Sequence, residues 1–531
     1  MGILFLVGMF ACAALSLFLP WVGAVYAYLF VVLGPQDIWF WDFDGWRPQF
    51  WVLLFTSVGV ILGIARRIFD LSILRNKRNL FILILWLCIV ASYYLGPYTH
   101  IGGPYRWDNA EYALDKFNKI YLLYFVACLC IDSERKLKTM FYVFVGSALY
   151  LIYWANRQYL TGHYFGRLSG PVGAAGTGDY ADQNNFAMLF VVSQSFLWYL
   201  GASFRQAVWR WLCWLSIPFC WHAVFLTGSR GGLLGLGATT LLISLRSKRR
   251  ILGLALIPAL IFVFFWQGGS VMKERANTID QYHTSASAEG RLESWRAATR
   301  MIADNPLTGV GLASYGPAFP HYSDAQPHEA HDTFLQITAE SGVAAGAMYV
   351  LIVLTCIVPL WKNGNRLKRD VEEGSATLLM VNEATLIGFC GLIVCSLFLS
   401  LQRYEIFYSL NMMANTLLYL SNEKAPVESG DYSDGIPRSV DDTGDSYVAT
   451  GIRMTMADSE QISVARASAG ERKKLRHRLW VARCETGGPS EIARKSSSHV
   501  LLLLHLLHFP RSVRLQTAVH LILARIALTD L

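Results

Sequence analysis

Uncharged apolar runs of helical length recur along this chain, at residues 50–65, 80–95, 120–131, 140–154, 186–202, 212–226, 233–245, 251–266, 343–360, 384–399 and 406–420. One globular interior cannot bury so many, whereas a bilayer can. In lipid every backbone N–H and C=O must be paired within its own segment, so the runs are expected to be helices. Several fall short of the usual span of about 20 residues and need flanking aromatic or long basic side chains to complete it. Ahead of them, residues 3–34 are uncharged and interrupted only at Pro20, which favours two short helices over one kinked helix. The fold class expected is all-α, a polytopic membrane bundle of about 12–13 transmembrane helices (residues 1–420).

Composition agrees, since only 16% of residues are charged where a soluble domain has about 25%. The net charge of +8 is not a nucleic-acid footprint, because most Lys and Arg sit in short loops between apolar runs. Nine of the ten cysteines lie in or beside apolar runs as small hydrophobes, without a disulfide or metal-binding pattern. Met1-Gly2-Ile3-Leu4 has no basic leader and no small-residue cleavage site, so the first helix is expected to stay in the membrane.

Orientation follows from the basic residues. Loops 66–78, 132–138, 203–210, 246–250 and 362–369 hold 18 Lys/Arg in 41 residues, and the alternate loops 35–48, 96–119, 155–185, 227–232 and 400–405 hold 8 in 81. The first set is expected in the cytoplasm, the second outside together with one large loop, 267–340. Residues 421–531 turn acidic and then basic, the mark of a largely disordered cytoplasmic tail.

Three positions on the outer side can carry chemistry. Gly228-Ser229-Arg230-Gly231-Gly232 interrupts apolar sequence at a helix boundary, where glycines permit a tight turn of N–H groups and Arg230 adds a fork suited to phosphate oxygens. The competing reading is a snorkelling arginine beside a helix break. In the large loop, Arg291-Leu292-Glu293-Ser294-Trp295-Arg296 begins a helix that Asn305-Pro306 should end, and Arg291 can grip further phosphate oxygens. Arg296 and Arg300, one turn apart, read equally well as solvated surface. His331, where the loop re-enters the membrane, suits a general base for a hydroxyl nucleophile. It reads alternatively as a helix cap or, with His328 and Glu329, as a metal ligand, although His-Glu-x-His is not a zinc-enzyme spacing.

Taken together and in this order, the Gly-Ser-Arg-Gly-Gly turn, the Arg291 and Trp295 helix leading to Asn305-Pro306-Leu307-Thr308-Gly309-Val310-Gly311, and the His331 to Glu340 block resemble the O-antigen ligase and polymerase superfamily. Asp182-Gln183-Asn184-Asn185-Phe186-Ala187 resembles the polar start of a membrane helix in these proteins. The resemblance covers roughly residues 165–420. It implies an inverting, metal-independent glycosyltransferase of the bacterial inner membrane with its active site facing the periplasm. The enzyme would transfer a glycan from undecaprenyl diphosphate to a glycolipid, glycan or protein hydroxyl, with Arg230 and Arg291 on the diphosphate, His331 as base, and no cofactor, metal or nucleic acid. The alternatives are a polymerase of the same superfamily and a non-enzymatic lipid-glycan transporter. Asp332 stands where the family often has Asn. Pro20-Trp21-Val22-Gly23 to Gly34-Pro35-Gln36-Asp37-Ile38-Trp39 resembles the exosortase-associated O-glycosylation ligase subgroup.

Overall fold

The computed structural model describes residues 1–103, 109–163, 166–173, 178–267, 286–327, 329–369 and 376–423. His283, His328 and the tail beyond residue 423 lie outside the described residues. Among the described residues all regular structure is helical: α1 Gly2–Ser16, α2 Pro20–Leu33, α3 Pro35–Ile38, α4 Phe40–Phe43, α5 Pro48–Ala65, α6 Lys77–Leu95, α7 Ala110–Cys130, α8 Glu134–Leu160, α9 Gln183–Ser203, α10 Ala207–Thr227, α11 Arg230–Arg246, α12 Arg250–Gln267, α13 Ala286–Asp304, α14 Tyr315–Ala318, α15 Thr333–Arg369, α16 Ala376–Ser396 and α17 Glu405–Glu423. Each of the eleven apolar runs is a helix. Pro20 separates two helices, with Pro at the first turn of α2 where its missing N–H is not needed.

Six of these helices (α5, α6, α8, α9, α15 and α16) are long and apolar enough to cross a membrane, while α1, α2 and Arg250–Trp266 are apolar but shorter. Large apolar side chains point outward, with Ile251 88% exposed and Phe18 80% exposed. Such a surface suits lipid and not water. The protein is thus a multi-pass membrane protein.

α9 is the central helix. Phe186 to Gly201 are buried without interruption, so α9 is enclosed on all sides by α10, α11, α16 and α8. Small residues allow the close crossings, since a Cβ on Gly235 would lie 2.3 Å from Cys395 Sγ, and one on Gly391 2.3 Å from Thr239 Cγ2. Gln194 joins α9 to α11 by donating to Thr240 Oγ1 at 2.7 Å and accepting from Thr239 Oγ1 at 3.2 Å. At the far end of α11, Arg246 forks onto Glu383 through Nε at 2.8 Å and Nη2 at 2.7 Å. Lys368 joins that carboxylate at 3.1 Å, and the Trp361 ring lies 4.1 Å from the guanidinium carbon.

α15 breaks at Gly342, whose φ 86° and ψ 168° are not helical. The break frees backbone groups that the 306–311 turn then pairs. Val310 and Gly311 N–H donate to the carbonyls of Ala339 and Glu340 at 2.8 and 3.1 Å, and Val343 N–H donates to Pro306 at 2.9 Å. Irregular backbone at a membrane boundary is tolerated where protein completes its hydrogen bonds in this way.

Candidate active site

Gly228 ends α10 in the left-handed conformation, φ 62°, and Ser229 begins α11, its Oγ accepting from Gly232 N–H at 3.1 Å. Arg230 is therefore the first residue of α11. There the N–H groups that precede the first intrahelical bond and the positive end of the helix dipole add to its own charge. The expected tight turn is in fact a helix cap joined to a helix N-terminus, a more ordered way to gather donors for an anion.

The large loop is held by α13. As expected from Asn305-Pro306, the helix stops at Asp304. Its Ala297, Ala298 and Met301 are buried with Val310, Tyr315, Phe319 and Ala330 in a separate small core. Trp295 donates from Nε1 to Ala330 O at 2.9 Å, so α13 grips the chain at the residue before His331. Arg291 lies one turn before Trp295 on the same face and is half-buried. Arg296 and Arg300 go elsewhere, to Glu293 at 3.2 and 3.7 Å, with more than half of each side chain exposed. Their exposure is that of surface side chains.

His331 is half-buried and has φ 49°. Left-handed backbone is uncommon outside glycine, and such residues persist where their surroundings over-determine them, often at functional sites. Both flanks of His331 are fixed: Ala330 by Trp295, and Asp332 by its role as cap, accepting Leu335 N–H at 2.9 Å. The helix cap is thus Asp332, and His331 stands just outside the helix. Asp and Asn cap equally well, so the departure from the family's Asn leaves this part of the structure intact. Burial raises the Asp332 pKa, opposed by the N–H groups of Leu335 and Phe334.

The starts of α11 and α15, next to Arg230 and His331, border one loop, residues 397–404. Thr333 Oγ1 donates to Leu399 O at 2.6 Å and accepts from Leu401 N–H at 2.9 Å. Ser400 Oγ donates to Gln336 Oε1. On the other side, a Cβ on Gly231 would lie 3.5 Å from Phe398 and 3.6 Å from Leu399. The loop therefore seats the start of α15 against the start of α11, bringing two motifs that are far apart in sequence to one end of the bundle.

Sequence reading missed Arg167. Its Nε donates to Thr227 O at 2.8 Å and its Nη2 to Asn184 Oδ1 at 3.2 Å, while Leu168 N–H donates to Leu226 O at 2.9 Å. Carbonyls left over at the end of α10 are thereby paired, and the Gly228 turn is tied to the start of α9, where Asp182 caps Asn184 and Asn185. The signal available was the one used for Arg230, an arginine in a loop expected on the side where arginine is disfavoured. Arg167 also lines a cleft of about 450 Å³ with Asp37, Phe40, Trp154, Gln158 and His163. Burial lifts the Asp37 carboxyl to about 7, with Asp179 adding to the shift and Lys116 opposing it. An acid raised in this way loses stability as pH rises from about 4 towards 7, because the folded state holds the proton longer.

These features define the class: an all-α, multi-pass membrane protein with a polar site on its loops. Residues 211–350, which carry Arg230, Arg291 and His331, match the O-antigen ligase family. This stretch is thus similar to an O-antigen ligase domain, set within a multi-pass membrane protein. The N-terminal stretch that resembles the exosortase-associated subgroup lies outside the match. No curated protein and no solved structure matches the chain.

Proposed function

We propose that the protein is an inverting glycosyltransferase that ligates a glycan from undecaprenyl diphosphate onto an acceptor hydroxyl on the periplasmic side of the bacterial inner membrane. The observation that carries this reading is the loop 397–404, which packs against Gly231, the residue after Arg230, and against Thr333, two residues after His331. Arg230 and Arg291 hold the diphosphate and offset the charge that builds as it leaves, which is how positioned donors lower such barriers without a metal. His331 takes the acceptor's proton while the acceptor oxygen bonds to the sugar carbon and the carbon–oxygen bond to the diphosphate breaks. Attack opposite the leaving group inverts that carbon. The cleft beside Arg167, with aromatic and hydrogen-bonding side chains, suits the donor's sugars.

Purified lipid-linked donor provides the test. An arginine fork makes two parallel N–H to oxygen contacts that an ammonium cannot copy, so Arg230→Lys is expected to lower transfer about tenfold or more. Full turnover in Arg230→Lys would reduce the site to a generic positive charge. The orientation has its own check, with reporter fusions at Arg250 and Arg369 expected in the cytoplasm and at Gly232 and His321 outside. Opposite sides for Gly232 and His321 would end the shared site.

A further inference from the structure

We propose a second site, at the end of the bundle away from His331, that binds a phosphate-bearing anion in a cavity of about 570 Å³ between α6, α15 and α17. Among the described residues its lining includes Arg75, Lys77, Arg78, Lys362 and Arg366, and no carboxylate. Asp70, the nearest acid in sequence, is occupied by Ser72 and Tyr419, which donate to its Oδ2 at 2.5 and 2.6 Å.

Arg78 carries the argument. It is 5% exposed, and its Nε and Nη2 donate to Thr355 O at 3.3 and 2.8 Å. That carbonyl is available because Pro359, four residues on, has no N–H to give it. Among the described residues nothing accepts a hydrogen bond from the buried Arg78 Nη1. A buried guanidinium with no carboxylate beside it in the cavity lining is costly, and an anion in the cavity supplies the missing charge.

The placement of the cations points the same way. Lys77 and Arg78 open α6, where the helix dipole disfavours positive charge. Positive-inside sorting accounts for basic residues on this face but not for burying one of them among four others. A phosphate group fits the arginine forks, and the cavity lies at the helix ends, where phospholipid headgroups sit. The anion's source is an acidic headgroup or free phosphate.

The test uses the full chain in nanodiscs of phosphatidylcholine with increasing phosphatidylglycerol, followed by thermal melting. A saturable rise in Tm is expected. Arg75→Gln with Lys362→Gln removes two exposed cavity cations without disturbing the core, and should raise the half-saturating phosphatidylglycerol fraction roughly tenfold or more. Lys248→Gln with Arg250→Gln removes equal charge from the same face outside the cavity and should leave it unchanged. Inorganic phosphate added to pure phosphatidylcholine discs separates the sources, because it reproduces the rise only if free phosphate is the ligand. No rise with either probe, or equal weakening by both variant pairs, overturns the site.

Discussion

His331→Ala should lose about two to four orders of magnitude in glycan transfer while membrane insertion and donor binding stay near normal, since that is the usual contribution of a positioned base. The structure sharpens this expectation. Asp332 caps the helix, so removing the imidazole takes away no cap, and a fall in protein level is not expected. Activity should also fall on acidification, because an imidazolium cannot take the acceptor's proton. The measurement is in vitro transfer from purified lipid-linked donor, wild type against His331→Ala, across roughly pH 5 to 8 and with or without EDTA. Normal turnover in the variant would remove the base assignment, and inhibition of the wild type by EDTA would replace it with a metal.

The second large effect is on folding. Gly342 combines φ 86° with ψ 168°, a region open essentially to glycine alone, and a Cβ there would stand 2.2 Å from Leu307 O. Gly342→Ala combines backbone strain with a clash against a backbone atom that cannot swing away, so it should cost on the order of 3–6 kcal/mol. Little folded protein should survive extraction. Gly237→Ala is the matched control, since a Cβ at Gly237 meets nothing within 4 Å; helix propensity there predicts a gain of about 0.5–1 kcal/mol. A melting curve in detergent for each variant decides it, and wild-type stability in Gly342→Ala would mean that the kink is not needed.

Much of the bundle was legible because hydrophobic runs and proline breaks are local signals. Pro20 and Asn305-Pro306 each ended or separated a helix as expected. Helix ends were harder to read where charge masks the pattern. α7 begins at Ala110, ten residues before its apolar run, and carries Asp115, Lys116 and Lys119 in turns that hydropathy does not register. Those charges are paired, Lys119 with Asp115 at 2.5 Å and Lys116 with Asp179. In the site, Arg230, Arg291 and His331 stood out by residue type and side of the membrane. The role of Asp332 as the cap next to His331, and that of Arg167 as partner of a carbonyl sixty residues away, depend on which chain ends meet. Sequence alone does not report that. The buried charges Glu383 and Arg78 were likewise invisible, since each sits just outside an apolar run.

The loop 397–404 bears on how much of the chain this end of the bundle needs. The stretch that matches the O-antigen ligase family stops at residue 350, yet the carbonyl of Leu399 and the N–H of Leu401 hold the first turn of α15. Tyr404 also reaches back to Asn185 O at 3.0 Å, ahead of the match. A ribosome that has made every residue of the matched stretch has therefore not yet made the loop that seats the start of α15. The start of α15 is seated only when the last helical hairpin is inserted, so this end of the bundle takes its final form late, after the whole of the matched stretch has been made.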